Sequence, residues 1–266
     1  MSTWDTTNDE RFYNYYAQES QSQKTLARFR SIRDSVLRVA EQRGMHNRTF
    51  DVADIGCGAG TQSLVWSELA HRVHGVDISQ PLLELAKQRA KKQGCAIDFQ
   101  LGSATELPWA NESMDICLLI ELLEHVTQWE ACLSECARVL RANGILVLTT
   151  TNKLCPIQQE FNLRLYSWYP ARLKRYFENL SLTTRPELAN YAKYPAVNWF
   201  TFHGLRHELS GRGFDSMDRF DVIDLAKKGA WVRALIYSIR AFPLLRWLGH
   251  VATPGTLVVA IKTARG

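Results

Sequence analysis

The sequence contains no apolar run close to the roughly 20 residues that a membrane-spanning helix needs. Its amino-terminal segment, Met1–Arg30, is polar and carries no apolar core of a secretory signal. The six cysteines include no C-x-x-C pair, so the common zinc and redox motifs are absent. From these absences we expect a cytoplasmic protein whose thiols are reduced.

Internal repeats and low-complexity segments are also missing, and the net charge of +5 is too small to indicate a nucleic-acid partner. The chain has 266 residues, 46% of them hydrophobic, and eight tryptophans. This length and composition predict a globular protein of one domain, or of one domain with a lid.

The most informative stretch is Val52–Gly60, which predicts a short strand followed by a glycine-rich turn and a helix from Thr61 to about Ala70. Glycines at 56, 58 and 60 allow positive φ and let the main chain approach a ligand closely. Open α/β sheets bind ligands at the carboxyl ends of their strands, where this turn would lie. A tight turn without any ligand is the simpler alternative.

A second predicted strand, Val73–Val76, ends in Asp77. An acidic side chain about 20 positions beyond the first glycine suits a ribose, because one carboxylate can accept hydrogen bonds from both hydroxyls. The glycine spacing is G-x-G-x-G, preceded by Asp54, whereas the dinucleotide fingerprint is G-x-G-x-x-G. A carboxylate at Asp54 would repel a pyrophosphate but could hold an ammonium group, which favours S-adenosylmethionine over NAD.

Further predicted strands alternate with predicted helices, which indicates a parallel, doubly wound sheet. Helices are predicted over Ser22–Arg43, Pro81–Gly94, Gln128–Leu140, Phe161–Tyr169, Ala171–Leu180 and Thr201–Arg212. Strands are predicted over Ala96–Leu101, Asp115–Ile120, Ile145–Thr150, Ser216–Ile223 and Thr256–Lys262.

The strings DIGCGAG, GVD, ELLEHV and RVLRANGILVLTTTN, in this order, resemble the class I S-adenosylmethionine-dependent methyltransferases over roughly residues 50–152. The resemblance implies an α/β, Rossmann-like fold with a seven-stranded, mostly parallel sheet, an antiparallel last strand and helical lid inserts. We expect a single domain, 1–266. Its parts would be N-terminal helices 1–48, a cofactor-binding core 49–152, a lid 153–200 and a C-terminal part 201–266 with a second insert 224–255.

The same resemblance implies which residues bind the cofactor. Many relatives use an aspartate on the adenine amino group where this chain has Ser103, so the Ser103 hydroxyl or the Ala104 backbone would replace it. The full predicted set is Asp54, Gly56, Cys57, Gly58, Gly60, Asp77, Ile78, Ser103, Ala104, Ile120 and Glu121.

Glu121, Glu124 and His125 follow the fourth strand and would face the site of methyl transfer. Two carboxylates and an imidazole suit Mg²⁺ or another divalent metal, with His203 as a distant fourth ligand. The E-x-x-E-H string resembles that of the ubiquinone-biosynthesis O-methyltransferases, where it binds a divalent metal. His125 and Glu121 are the predicted catalytic residues. In the alternative, His125 is a metal-free base or a loop cap and Glu124 is an exposed helix residue.

The second insert combines basic and large apolar residues without any acid between Lys227 and Arg246. This pattern suits a helix in the headgroup region of an anionic membrane, peripheral to its inner face. A lid that keeps its arginines in water is the alternative, and RNA binding ranks third.

These patterns together predict O-methylation of a small molecule that is apolar or isoprenoid-linked. The alternatives are N- or C-methylation of a soluble metabolite, and a protein that binds the cofactor without turnover.

Overall fold

The computed structural model describes residues 19–46, 48–189, 195–226 and 228–263. The part of the predicted N-terminal helices that precedes Glu19, and Lys227 of the second insert, therefore lie outside the described residues.

One seven-stranded sheet with the order β3-β2-β1-β4-β5-β7-β6 organises the chain. Its strands are β1 (Asp51–Ile55), β2 (Arg72–Asp77), β3 (Ile97–Leu101), β4 (Met114–Ile120), β5 (Leu140–Thr151), β6 (Phe214–Asp218) and β7 (Gly255–Lys262). β1 to β5 pair in parallel, while β7 is antiparallel to both β5 and β6. The predicted fold class and the antiparallel last strand are confirmed.

Helices connect the strands and cover both faces of the sheet. They are α1 (Gln23–Gln42), α2 (Thr61–Ser67), α3 (Gln80–Gln93), α4 (Trp129–Val139), α5 (Ala171–Thr183), α6 (Phe202–Ser210), α7 (Arg219–Val222), α8 (Ala230–Ala241) and α9 (Pro243–Val251). α1 begins where the Ser22 hydroxyl accepts a hydrogen bond from the Thr25 amide, and Thr201 caps α6 in the same way. Both caps stand at the predicted starts of their helices.

Three predicted elements differ from the structure. Phe161–Tyr169 contains only a 3₁₀ turn at Tyr166–Trp168, because its aromatic rings pack on each other in a small cluster of their own. β6 ends at Asp218 rather than near Ile223, since the Asp218 side chain caps the short helix α7. β5 begins at Leu140 instead of Ile145, because Leu140 already pairs with Met114.

The core has two layers, one on each face of the sheet. Successive side chains of β4 alternate, so Cys117 and Leu119 join the layer under α4 and α6, while Ile116 and Leu118 join the layer under α1. All four side chains are fully buried, which is the expected state of a strand covered on both faces.

The segment after β5 docks on the loop that follows β4. The amides of Val197 and Asn198 donate to the carbonyl of Glu124 at 2.9 and 3.1 Å. The Asn198 side-chain amide also donates to the carbonyls of Leu123 (2.9 Å) and Val126 (2.7 Å). The end of the first insert therefore holds in place the loop that carries Glu121 and Glu124.

The second insert is anchored through Asp218, whose side chain is fully buried. Its carboxylate lies 2.7 Å from Arg246 Nε and 2.9 Å from His250 Nε2, and both partners belong to α9. These cationic and hydrogen-bonding neighbours hold the pKa of Asp218 down at about 2 although burial opposes this.

We predict that Asp218→Asn lowers the free energy of unfolding at pH 7 by about 2–3 kcal/mol, because Arg246 and His250 would lose the negative charge of their shared buried partner while Arg246 keeps Asp221. The pKa of Asp218 is lowered on folding from 3.8, so its stabilisation is complete above about pH 4 and is lost as the pH falls through about 2. Urea titration measures both effects. Asp215→Asn, which changes an exposed aspartate, serves as a control, and its free energy of unfolding should change by less than about 1 kcal/mol. Equal losses in the two variants would show that Asp218 does not anchor the second insert.

Candidate active site

The glycine turn follows β1 directly, and its three glycines have positive φ: 72° at Gly56, 51° at Gly58 and 75° at Gly60. The amides of Gly56 and Cys57 both donate to the Val76 carbonyl, which ties the turn to β2. A Cβ at Gly56 would lie 2.7 Å from Leu122 Cδ1, and one at Gly60 would lie 2.9 Å from Ala86 Cβ. Backbone conformation therefore favours glycine at both positions, and at Gly60 packing against the short Ala86 side chain requires it as well.

Asp77 lies directly beside the turn. Its Oδ2 accepts a hydrogen bond from the Gly58 amide at 2.8 Å, and its Oδ1 accepts one from the Ser79 amide at 2.8 Å. Burial raises the pKa of Asp77, although these amide hydrogen bonds oppose the rise. The structure thus brings together the glycine turn and the acidic residue that the sequence placed on a separate strand.

Asp54 is the second buried carboxyl group under the turn, with 2% of its surface exposed. Its Oδ2 accepts a hydrogen bond from the Ser63 hydroxyl at 2.5 Å. Burial raises the pKa of Asp54 to about 7, and the negative charge of Asp77 contributes to the rise. No lysine, arginine or histidine of the described chain forms an ion pair with either aspartate. A positively charged ligand would therefore stabilise the ionised form of this pair.

Gln62, the second residue of α2, was not among the residues predicted from the sequence. It is 4% exposed, and neither its amide nitrogen nor its amide oxygen finds a hydrogen-bond partner in the described part of the chain. Buried amides are normally paired, so this one is available to a ligand seated on the turn. A single glutamine early in a helix gives no signal of this kind in a sequence.

The predicted adenine-side residues lie at the ends of β2 and β3. Ile78 is 48% exposed and is free to contact a flat ring. The Ser103 hydroxyl lies 2.8 Å from the Thr105 hydroxyl and accepts from the Thr105 amide, so it already has local partners. Ala104 packs against the core layer under α4.

Glu121 directly follows β4 and lies in the left-handed region, with φ of 55°. A non-glycine residue in this conformation is held there by its surroundings: its amide donates to the Thr149 carbonyl at 2.9 Å. The Glu121 carboxylate forms an ion pair with Arg28 of α1. Ile120, immediately before it, is half-buried. Glu121 is thus presented from the sheet toward α1.

Glu124 is buried, with 1% exposure, and its Oε2 has no hydrogen-bond partner among the described residues. Burial raises its pKa to about 8, and the nearby negative charges of Glu160 and Glu121 add to the rise. The alternative in which Glu124 is an exposed helix residue is therefore wrong, because its side chain is buried. His125 is half-buried beside it, with its amide donating to the Leu122 carbonyl.

The predicted metal ligands do not form a coordination group. Across the described ranges, no set of three or more histidine, cysteine, aspartate or glutamate residues lies close enough to hold a metal ion. Glu121 is paired with Arg28, and Glu124 holds its carboxyl group in the protein interior. His203 instead contacts the rings of Phe202 and His250. These residues do not fit a metal, and we assign no step to one.

A cavity of about 240 Å³ opens beside Glu121. It lies at the carboxyl ends of β4 and β5 and at the amino end of the antiparallel β7, which share one edge of the sheet. The polar and charged residues that line it are Arg28, Ser31, Glu121, Thr149, Thr150, Arg219 and Thr256. The Arg28, Arg219 and Thr256 contributions come from distant parts of the chain and were not predicted.

Residues 53–148 match the model of a family described as a methyltransferase domain. Among curated relatives, the chain is similar to a ubiquinone biosynthesis O-methyltransferase of Bradyrhizobium diazoefficiens, with 38% identity over 125 residues, which are 45% of this chain and 48% of the relative. A relative of the same description from Rhizobium etli is 35% identical over 102 residues, 38% of this chain and 41% of the relative. The chain thus spans less than half the length of these relatives.

The matched residues contain the end of β1, the glycine turn, Asp77 and the end of β4, all on one sheet edge. The chain contains a class I S-adenosylmethionine-dependent methyltransferase domain. Solved structures agree with the fold of this methyltransferase domain. A protein of Pyrococcus horikoshii superposes with a TM-score of 0.59 at 16% identity, covering 94% of this chain and 99% of that one.

A second solved structure is phosphoethanolamine N-methyltransferase 2 of Haemonchus contortus, in complex with S-adenosyl-L-methionine. It gives a TM-score of 0.53 at 16% identity and covers 95% of this chain and 60% of that one. At such identities the likeness shows the shared fold.

We predict that Glu124→Gln changes the pH dependence of the methyltransferase domain's stability. Folding raises the Glu124 pKa from 4.5 to about 8, so the wild type loses free energy of unfolding as the pH rises between these values. The variant cannot ionise and should match the wild type near pH 5 but exceed it at pH 8, by on the order of 3 kcal/mol. Urea titration at both pH values measures this; a constant difference would contradict the buried, protonated state.

Proposed function

We propose that this chain transfers a methyl group from S-adenosylmethionine to an oxygen atom of a small-molecule acceptor with an apolar part. One observation carries the proposal: the turn with its two buried aspartates and the cavity beside Glu121 occupy the same sheet edge. A cofactor seated on the turn and an acceptor in the cavity would meet at Glu121.

The buried groups of the turn suit S-adenosylmethionine in charge and in hydrogen bonding. Asp54 has no cationic partner in the described chain, so the ammonium of the methionine part would offset its charge. Asp77 uses two of its roughly four lone-pair positions on amides and keeps the others for the ribose hydroxyls. Gln62 would bond the remaining polar atoms of the methionine part. Ile78 and the Ser103–Ala104 segment would contact the adenine.

S-adenosylmethionine supplies a methyl group on a positively charged sulfur, which becomes a neutral thioether once the methyl is transferred. The protein's main task is to align the acceptor oxygen with that methyl group. A hydroxyl acceptor must also lose a proton, for which Glu121 and His125 are the proposed bases. Glu124, with a pKa of about 8, would be protonated at neutral pH and fits this role less well.

Oxygen is the proposed acceptor atom because the curated relatives are described as O-methyltransferases. Incubating the protein with S-adenosylmethionine and a panel of phenols, quinols and aminophenols, followed by tandem mass spectrometry of the products, tests this. We expect methyl ethers. Methylated nitrogen or carbon in place of ethers would overturn the choice of oxygen. S-adenosylmethionine binding with no methylated product from any acceptor would contradict the proposed enzymatic function.

We predict that Asp77→Ala weakens S-adenosylhomocysteine binding by about 2–3 kcal/mol, because two charge-assisted hydrogen bonds to the ribose would be lost. Isothermal titration calorimetry measures the affinity directly. Asp98→Ala, which removes a half-exposed aspartate from the neighbouring strand β3, should leave the affinity unchanged. Equal affinities of wild type and Asp77→Ala would show that Asp77 does not hold the ribose.

We also propose that the second insert contacts an anionic membrane surface. Large apolar side chains of α8 and α9 face solvent, including Trp231, which is 90% exposed, and Leu244, which is 68% exposed. Other exposed members of this surface are Val232, Leu235, Tyr237, Phe242, Leu245, Trp247 and Leu248. Such a contiguous apolar set on paired helices is typical of an interaction surface.

The basic residues of this insert contribute less to the attraction of an anionic surface than their number suggests. Arg240 donates to the carbonyls of Phe220 and Asp221, and Arg246 is paired with Asp218 and Asp221. Arg233 and Lys228 remain exposed, each worth about 1 kcal/mol at an anionic surface. Membrane contact would therefore depend mainly on the apolar side chains. None of the helices in the described residues is suited to spanning a bilayer.

Co-sedimentation with vesicles tests the membrane contact. We predict that the wild type pellets with vesicles containing anionic lipid at low salt, and that the double variant Trp231→Glu with Leu244→Glu stays in the supernatant. Leu69→Glu, which changes an exposed leucine beyond the end of α2, should pellet like the wild type. If the wild type remains in the supernatant, the membrane contact is contradicted and the insert is only a lid.

A further inference from the structure

Two arginines from distant parts of the chain line the cavity beside Glu121. Arg28 belongs to α1, and Arg219 is the first residue of α7. Arg219 donates to the Gly255 carbonyl at 2.6 Å and forms no ion pair with any described carboxylate. The adjacent Asp218 has its carboxylate bonded to Arg246 and His250. The positive charge of Arg219 is therefore available at the cavity.

Arg28 is paired with Glu121, but this ion pair is exchangeable. The two side chains are 46% and 50% exposed, and ion pairs at such exposure contribute about 0–1 kcal/mol. A ligand anion in the cavity could take Glu121's place on Arg28 at little cost. That exchange would also release the Glu121 carboxylate toward the cofactor side of the site.

We propose that this cavity binds an anionic group, a carboxylate or a phosphate, carried by the methyl acceptor. Arg28 and Arg219 would bind its oxygens. Guanidinium groups match the planar, two-oxygen geometry of such anions. The inference rests on the proposed methyl transfer, and it restricts the substrate class to hydroxyl-bearing acids. A volume of about 240 Å³ holds the acidic head of the acceptor, so any long apolar part would extend outside.

The test compares each acid with its neutral partner. Calorimetry in the presence of S-adenosylhomocysteine would use 3,4-dihydroxybenzoate against its methyl ester, and phenyl phosphate against phenol. We expect at least one acid to bind about 10-fold or more tightly than its partner. The acid whose affinity exceeds that of its own neutral partner by the larger factor identifies the preferred anion as carboxylate or phosphate.

Variants of Arg219 test whether this arginine causes the tighter binding of the acid. Arg219→Gln should reduce the acid's affinity about 10- to 100-fold and leave the neutral partner unchanged, while Arg219→Lys should retain part of the preference. Arg206→Gln, an exposed arginine on α6, should behave as the wild type. Unchanged affinity for S-adenosylhomocysteine in each variant would show that the fold is intact.

Two results would overturn the inference: neither acid binding more tightly than its neutral partner, or a preference that survives Arg219→Gln. Failure of the proposed function gives a different result. In that case the protein would bind these acids but would yield no methylated product from any acceptor.

Discussion

The burial of two carboxyl groups beneath one glycine turn is the constraint on which the site depends. Asp77 raises the cost of ionising Asp54, and no cation of the described chain offsets it. The turn can nevertheless form because the Gly58 amide and the Ser63 hydroxyl donate to these carboxyl groups. The protein therefore holds two acidic groups in a pocket of low polarity, and a ligand with a positive charge and hydroxyl groups completes their environment.

The sheet then determines where the chemistry takes place. β1, β2, β4 and β5 are parallel, so the glycine turn, Asp77 and Glu121 meet at one edge. β7 enters the sheet in the opposite direction and brings Thr256 to that same edge. Glu121, in a left-handed conformation, lines the cavity at this edge. Strand direction thus brings the glycine turn, Asp77, Glu121 and the cavity to one edge of the sheet.

Local patterns in the sequence were sufficient for the sheet and for the turn, because glycine spacing, buried strands and helix caps act over short stretches of chain. The cavity could not be predicted, since Arg28, Arg219 and Thr256 come from three segments that only the folded sheet brings together. Burial of Glu124 was also missed, because the segment that docks on its loop, at Val197 and Asn198, lies at the far end of the first insert. The basic pattern of the second insert was misleading for a similar reason, because Arg240 and Arg246 bond to groups near Asp218.

The pH dependence of S-adenosylhomocysteine binding tests most directly whether the buried Asp54 holds the cofactor's ammonium. Because the pKa of Asp54 is about 7 without ligand, the ionised form that attracts a cation is depleted at lower pH. Calorimetry between pH 6 and pH 8 should show an affinity that rises with pH and levels off above about 7, whereas Asp54→Asn should bind more weakly and show no such rise. A wild-type affinity that is constant over this range would contradict the account.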